Sequence, residues 1–147
     1  MIDLHMHSLY SDGTFNVSDL IKRAKEKGIK ILSLTDHDTV EGLCEAKKEC
    51  SENNIKFING IEISTEYKGK EVHILGYFID EKNEKLIAFS EEMKQARINR
   101  NEKVIKILND HGIEISKEDT YREAEGTIIS RTHLARALVT KGHVSDV

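Results

Sequence analysis

The sequence contains no proline, only two cysteines and no long apolar segment. We attach no function to the lack of proline. Cys44 and Cys50 lie six positions apart on a predicted helix and therefore face different sides of it, which favours a core residue and a surface thiol over a disulfide or a metal-binding pair. No apolar stretch is as long as a transmembrane helix, and the first residues lack the basic and then apolar pattern of a signal peptide. We therefore expect a cytoplasmic protein with no membrane partner.

An excess of positive charge is also missing, since the formal net charge is −4. General binders of nucleic acids or membrane surfaces rely on surplus Lys and Arg, so the charge argues against both classes. Recognition of a single phosphate ester stays open. With 38% hydrophobic and 33% charged residues the composition is that of a globular protein, and 147 residues suffice for one domain with a core, or for one domain and an incomplete second.

Strand and helix signals alternate in the first half of the chain. Apolar strand-like runs at 2–8, 29–35 and 56–63 are separated by helical patterns ending near Lys27 and spanning about 40–53. The first helix can be capped by Asn16 or Ser18. This order predicts an α/β fold with a parallel sheet and crossover helices.

Residues that commonly bind metals follow all three predicted strands. His5 and His7 alternate on the first strand, so their imidazoles face one side with Cα atoms roughly 6–7 Å apart. By themselves they fit a pair that hydrogen-bonds to loops as well as they fit a metal site. However, Asp36-His37-Asp38 follows the second strand and Glu62 ends the third. Because reactive groups gather at the carboxyl ends of parallel strands, we expect these side chains to lie together.

A fourth strand is predicted at 72–78, after a connection too short for a helix. A hairpin turning near 67–69 would bring His73 close to Glu62. A single histidine in an apolar strand is usually a core residue, but here a carboxylate is its expected neighbour. Six candidate ligands result, namely His5, His7, Asp12, His37, Glu62 and His73. Imidazole with carboxylate suits Zn²⁺, Mn²⁺ or Fe²⁺, and the number of ligands favours two or more ions, which suits hydrolysis of a phosphate ester.

Residues from about Asn83 onward are predicted to be mainly helical, with Ser116 and Ser130 as helix caps. The segment Ser130-Arg131-Thr132-His133 combines a helix start, a guanidinium and an imidazole, which suits a phosphate. An ordinary capped helix is the alternative.

The motifs together resemble a known family. The segments that carry the resemblance are Asp3-Leu4-His5-Met6-His7-Ser8, Ser11-Asp12-Gly13-Thr14, Leu34-Thr35-Asp36-His37-Asp38-Thr39, Gly60-Ile61-Glu62-Ile63-Ser64 and Val72-His73-Ile74-Leu75-Gly76-Tyr77. They resemble successive motifs of the PHP (polymerase and histidinol phosphatase) metal-dependent phosphoesterases, most closely the TrpH-type branch, whose members hydrolyse nucleotide or RNA phosphoester bonds.

The resemblance implies roles for individual residues. His5 and His7 would hold one of two or three divalent ions, Asp12 and His37 a second, and Glu62 with His73 would bridge toward a third. Arg131 and His133 match an Arg-Pro-His segment that faces the substrate phosphate, with Thr132 in place of the proline. Together with Asp38, these two residues are the candidate catalytic residues.

The resemblance also implies a distorted (β/α)7 TIM-like barrel, of which residues 1–80 would form the N-terminal half. Residues 81–147 would be a mainly helical insertion. The later histidine and Asp-x-His pair of the family have no match after His133. We therefore expect either the N-terminal portion of a longer enzyme or a reduced form that pairs with something, such as a second copy.

The expected function is hydrolysis of phosphate esters in a nucleotide or short oligonucleotide by a metal-activated water. Two alternatives stay open. One is a non-catalytic metal-binding or oligomerising module, and the other is a phosphatase acting on histidinol phosphate or a sugar phosphate.

Overall fold

The computed structural model describes residues 1–124 and 129–146. Four strands and two helices come first: β1 (Ile2–Met6), α1 (Val17–Glu26), β2 (Ile31–Leu34), α2 (Leu43–Glu52), β3 (Lys56–Tyr67) and β4 (Lys70–Tyr77). Three helices follow: α3 (Glu84–Asp110), α4 (Lys117–Glu123) and α5 (Arg131–Thr140). The chain divides into two compact units, Met1–Glu91 and Glu92–Val147. The expected boundary near residue 80 stays a prediction.

The sheet of the first unit has the strand order β1-β2-β3-β4. The first three strands are parallel and the last pair is antiparallel. Each parallel strand lies beside the next one along the chain, with a helix between them, which is the winding of a (β/α) barrel. The α/β prediction is therefore confirmed. Its consequence for the site is that the carboxyl ends of β1, β2 and β3 meet at one edge.

The core between sheet and helices follows the apolar pattern of the sequence. Helix α1 begins at the cap Asn16, whose side chain accepts a hydrogen bond from the Asp19 backbone N–H at 2.8 Å. Its apolar positions are buried against β2 and α2, and the core consists of Val17, Leu20, Ile21, Ala24, Ile29, Leu32, Leu34, Leu43, Ala46, Cys50 and Ile55. Cys50 is a buried core residue and Cys44 is exposed, as predicted. This packing holds the sheet rigid beneath the site.

Helix α2 begins later than the sequence predicts, at Leu43 instead of Val40. The backbone before the helix is hydrogen-bonded to β3 instead. The Asp38 N–H donates to the Glu62 carbonyl at 2.8 Å, and His37 pairs with Glu62 in an isolated parallel bridge. The end of β2 is thereby bonded to β3, and the helix can start only after the chain has turned away.

The hairpin between β3 and β4 turns at Lys68 and Gly69, both with positive φ. A left-handed conformation at both central residues matches the twist of antiparallel strands, and glycine adopts it without strain. The register pairs Ser64 with His73 and Glu62 with Leu75. Glu62 and His73 are thus one diagonal step apart on the hairpin, which confirms that they are brought together.

The described part of the second unit is helical. Serine caps begin α4 and α5 as predicted, each with a capping box: Ser116 with Asp119 and Ser130 with His133. Gly112, with a φ of 81°, ends α3. Within the described residues, no helix has the length and apolarity needed to cross a membrane.

Candidate metal centre

Six side chains converge where the parallel strands end, as the sequence predicts. His5 lies on β1 with His7 just beyond it, His37 follows β2, and Glu62 and His73 lie on the β3–β4 hairpin. Asp12 comes from the loop after β1. The six residues are separated by up to 68 positions in sequence, so only the parallel sheet and the hairpin bring them together.

Glu62 is the centre of this group. Its Oε2 lies 2.7 Å from His5 Nε2 and 3.1 Å from His7 Nε2, while its Oε1 lies 2.7 Å from His73 Nδ1. His37 Nδ1 is 3.9 Å from Oε2. Only 4% of Glu62 is exposed. One buried carboxylate therefore has four imidazoles around it, and it links both ends of the cluster.

Asp12, in the loop after β1, lies close to two of the histidines. Its carboxylate oxygens lie 3.6 Å from His7 Nδ1 and 3.8 Å from His37 Nε2. The loop lies close to β1 because Gly13 packs on the backbone of His7 and Ser8, where a Cβ atom would come within 2.6 Å of the His7 carbonyl carbon. The backbone conformation does not require glycine here, because the φ of Gly13 is not positive. Glycine is required because there is no space for a Cβ atom.

The ligand atoms form three overlapping groups, within each of which all atoms lie within 4.8 Å of one another. The groups are His5, His7 and Glu62; then His7, Asp12 and His37; and finally His37, Glu62 and His73. We call them the first, second and third triad. Each contains imidazole nitrogen and carboxylate oxygen, the mixture preferred by Zn²⁺, Mn²⁺ and Fe²⁺.

One buried atom supports the fit to a cation. His7 Nδ1 is buried and has no hydrogen-bond partner in the described part of the chain, because Asp12 stays at 3.6 Å. A buried polar atom without a partner costs free energy, and a bound cation would remove that cost. The chemistry of the donors and this free position are both what a divalent cation needs.

The charges in the cluster shift its pKa values in different directions. Burial and the neighbouring His37 lower the pKa of His7. Burial acts to raise the pKa of Glu62, but the hydrogen bond from His5 and the charge of His37 outweigh it, so this pKa is lowered. Both residues are thus held in the form that binds metal, the neutral imidazole and the carboxylate.

His73 behaves differently because of a carboxylate that sequence reasoning missed. Its Nε2 lies 3.3 Å from Glu71 Oε1 on the same face of β4. Burial acts to lower the pKa of His73, but hydrogen bonds to Glu71 and Glu62 raise it. A metal-binding histidine commonly donates its other ring N–H to a carboxylate, and Glu71 stands in that position. The sequence does contain a sign of this contact, because Glu71 and His73 are two positions apart on one strand and therefore face the same side.

A second group of residues that sequence reasoning missed surrounds Asp36. Its carboxylate accepts hydrogen bonds from the Ser8 N–H at 2.7 Å and from the Ser8 and Ser11 hydroxyls at 2.6 Å each. Burial raises the pKa of Asp36 to about 6, against the effect of these hydrogen bonds. No spacing rule predicts this contact, because it joins a loop to a strand end 25 to 28 positions away.

The three candidate catalytic residues lie in different surroundings. Asp38 is buried beside the cluster with a φ of 56°, and its Oδ1 accepts a hydrogen bond from the Ser64 N–H at 2.7 Å. Arg131 and His133 belong to the second unit, at the start of α5. Arg131 is exposed, whereas His133 is fully buried and its Nδ1 accepts from the Ser130 N–H at 3.1 Å. Their catalytic roles stay predictions.

Comparison with known sequences decides the family. The profile of the PHP domain matches residues 3–139, which is most of the chain. The chain belongs to the PHP domain family. The resemblance noted from the motifs is thereby confirmed, and with it the α/β fold as the N-terminal part of a TIM-like PHP barrel.

Curated relatives and solved structures agree with this family. A 5'-3' exoribonuclease of Haemophilus influenzae is 37% identical over 98% of this chain and 52% of its own length. A 3',5'-nucleoside bisphosphate phosphatase of Chromobacterium violaceum is 37% identical over 99% of this chain and 52% of its own. The PHP-domain chain thus spans about half the length of the curated relatives it matches.

Among solved structures, an amidohydrolase from Chromobacterium violaceum with bound sulfate superposes with a TM-score of 0.92 at 37% identity, covering 99% of this chain and 51% of that one. A protein from Bifidobacterium adolescentis assigned as a metal-dependent phosphoesterase has a TM-score of 0.87 at 30% identity, covering 97% of this chain and 51% of that one. These similarities extend over both compact units of the PHP-domain chain.

Proposed function

We propose that this chain carries the metal-binding half of a PHP phosphoesterase that hydrolyses phosphate ester bonds of nucleotides or short oligonucleotides. The observation that carries the proposal is the set of three overlapping triads at the carboxyl edge of the sheet. Their shared members, His7, His37 and Glu62, link them into one site for two or three divalent cations, with Mn²⁺, Fe²⁺ and Zn²⁺ as the candidates.

The candidate ligands would have different roles according to their positions in the cluster. Divalent cations bound in such a site supply a water of lowered pKa and stabilise the attacking and leaving oxygens of a phosphate displacement. Glu62 would be a ligand shared between the first and third triads, and the lowered pKa of its carboxyl keeps it charged. His5 and His73 close the site at opposite ends, on β1 and β4.

The proposed substrate class rests on the relatives. Those named above are a ribonuclease and a nucleoside bisphosphate phosphatase, so both act on phosphate esters of nucleosides. We propose a nucleotide or short oligonucleotide for this chain too, with Arg131 as a candidate ligand of its phosphate. A guanidinium can bind a phosphate through two parallel hydrogen bonds, which is the role proposed for Arg131.

Two other functions are outcomes of the tests. A non-catalytic metal-binding or oligomerising module is motivated by the span of the chain, about half that of its relatives. A histidinol-phosphate or sugar-phosphate phosphatase would use the same cations and is separated by a substrate profile.

The first experiment measures metal content and affinity in the purified 147-residue chain. Elemental analysis after purification without added metal is followed by titration of Mn²⁺ and Zn²⁺ against a competing chelator. We expect two or three equivalents per chain, and fewer for His5→Ala, His37→Ala and Glu62→Ala. His111→Ala and His143→Ala serve as matched controls, because these histidines bond to the carbonyls of Ile107 and Glu114 outside the cluster.

Activity is tested next, on a panel of nucleoside bisphosphates, short RNA, histidinol phosphate and sugar phosphates. Release of phosphate or mononucleotides that disappears in Glu62→Ala would support the proposed reaction. If His5→Ala, His37→Ala and Glu62→Ala all kept the metal content of the wild type, the proposed metal site would be wrong. Two or more bound ions without activity on any substrate would favour the non-catalytic module.

A further inference from the structure

A buried carboxylate is next to the second triad in sequence and is not one of its members. Asp36, only 2% exposed, is at the end of β2 and accepts three hydrogen bonds. Oδ1 receives the Ser8 N–H and the Ser11 hydroxyl, and Oδ2 receives the Ser8 hydroxyl. The Ser8 Oγ in turn accepts from the Tyr10 N–H at 3.2 Å, so the whole loop after β1 is tied to this one side chain.

Asp36 and the two serines bonded to it are each the chain neighbour of a member of the second triad. Ser8 follows His7, Ser11 precedes Asp12, and Asp36 precedes His37. The three ligands come from a strand end, a loop and a second strand end. Strand pairing and the close packing of Gly13 bring these segments together, and the hydrogen bonds of Asp36 add a side-chain link between them. Through its hydrogen bonds to Ser8 and Ser11, Asp36 links the three backbone segments that carry the ligands.

We propose that Asp36 is a positioning residue, which holds His7, Asp12 and His37 in the arrangement of the second triad through its hydrogen bonds to Ser8 and Ser11. This inference rests on the proposed function, since the triad matters only if it binds a cation. Asp36 is not itself proposed as a ligand, because both of its oxygens are already committed to short hydrogen bonds of 2.6–2.7 Å.

The physical argument is one of preorganisation. Hydrogen bonds to an ionised carboxylate are about twice as strong as neutral ones, and partners behind metal ligands typically contribute about 10–100-fold to metal affinity. Without Asp36, the Ser8 N–H and two hydroxyls would be buried without partners, and the loop carrying Asp12 would have to move to reach water. Asparagine keeps the two hydrogen bonds to Oδ1, because its oxygen accepts from the Ser8 N–H and the Ser11 hydroxyl. At the other position the direction is reversed, since its amide would donate to the Ser8 hydroxyl oxygen.

The test compares four variants of the full chain: Asp36→Ala, Asp36→Asn, Ser11→Ala and Ser33→Ala. Ser33 is the matched control, a fully buried serine on β2 whose hydroxyl has no hydrogen-bond partner among the described residues. With Mn²⁺ and Zn²⁺ as probes, we expect a loss of about 10–100-fold in affinity for Asp36→Ala and a smaller loss for Ser11→Ala. Asp36→Asn and Ser33→Ala should stay within a few-fold of the wild type.

A second readout uses metal-free protein and does not depend on binding. The rings of His7 and His37 are stacked with centroids 4.7 Å apart, so their ring protons should give a nuclear Overhauser effect. This signal should weaken in Asp36→Ala and be restored in Asp36→Asn. Melting curves by circular dichroism verify that each variant is folded. If Asp36→Ala does not fold, the comparison of Ser11→Ala with Ser33→Ala tests the positioning role.

The outcomes separate this inference from the proposed function. Wild-type affinity and an intact ring signal in both Asp36→Ala and Ser11→Ala would overturn the positioning role. An equal loss of metal affinity in Ser11→Ala and Ser33→Ala would also overturn it, because removal of any buried hydroxyl near the site would then have the same effect. If the wild-type chain binds neither probe metal, the proposed function fails, while the ring signal still decides whether Asp36 positions the histidines.

Discussion

The substitution Gly13→Ala should disturb the candidate metal centre although Gly13 is not itself a candidate ligand. A Cβ atom at this position would lie 2.6 Å from the His7 carbonyl carbon and 2.8 Å from that of Ser8, and closer still to the His7 oxygen. All three contacts are with backbone atoms, so no side-chain rotation can relieve them. The loop must therefore move away from the end of β1.

The size of the effect follows from two opposing terms. Forcing an extra carbon into a packed site destabilises the folded state by about 1–3 kcal/mol. Replacing glycine by alanine also lowers the conformational entropy of the unfolded chain, which stabilises the fold by about 0.4–1 kcal/mol. A net loss of about 1–2 kcal/mol is expected, which lowers the melting temperature by about 5–15 °C for a unit of this size. Moving the loop also withdraws Asp12 from His7 and His37, so metal affinity should fall by about 10–100-fold.

Two assays on one set of samples test this reasoning. Thermal unfolding of metal-free protein reports the stability, and competition with a chelator reports Zn²⁺ affinity. Gly76→Ala is the matched control, because the tightest contact of its Cβ would be with a methyl carbon of Ile61 at 3.3 Å, and the next two would be at 3.7 and 3.9 Å. Suppose that Gly13→Ala had the same melting temperature as the control and the Zn²⁺ affinity of the wild type. The tight fit of the loop on β1 would then not be what positions Asp12.

Three further predictions concern charge and packing. Burial raises the pKa of Asp36 from an ordinary 3.8 to about 6, so folding stability should fall as pH rises through that window. Relative to Asp36→Asn, metal-free wild type should lose about 2 kcal/mol of folding stability between pH 4 and pH 7 in denaturant titrations, and parallel curves would contradict this. Glu71→Gln should lower the pKa of His73 in an NMR titration of metal-free protein, because Glu71 raises it. Exposed Glu66→Gln, opposite Glu71 in the hairpin, is its control, and an equal shift in both variants would argue against the specific contact. Leu32→Ala should cost about 2–5 kcal/mol in thermal unfolding, since Leu32 is fully buried in β2, and a loss below about 1 kcal/mol would mean that the core collapses around the gap.

The candidate ligands could be predicted from the sequence because their positions follow simple periodic rules. His5 and His7 are two apart on a strand, and parallel strands bring their carboxyl ends to one edge. The turn near Gly69 folds β4 back on β3, so His73 could be placed near Glu62 within a residue or two. The observed register, Ser64 opposite His73, is within that range.

The residues that support the ligands could not be predicted in the same way. Asp36 contacts Ser8 and Ser11 across 25 to 28 positions, and its side chain could equally have faced water. Glu71 reads as one more exposed charge on a hairpin until its carboxylate is seen 3.3 Å from His73. Such contacts depend on rotamers and on loop geometry, which no local pattern specifies.

The sequence by itself determined the order of strands and helices, the family and the six candidate ligands, because these depend on local periodicity and on which residue types follow each strand. Only the tertiary structure decided which ligands share a triad. It also decided that Glu62 is common to four histidines and that Asp36 ties a loop to two strand ends. The reason is physical, since those features are distances between atoms far apart along the chain, and they exist only once the sheet, the hairpin and the packed glycine loop have formed.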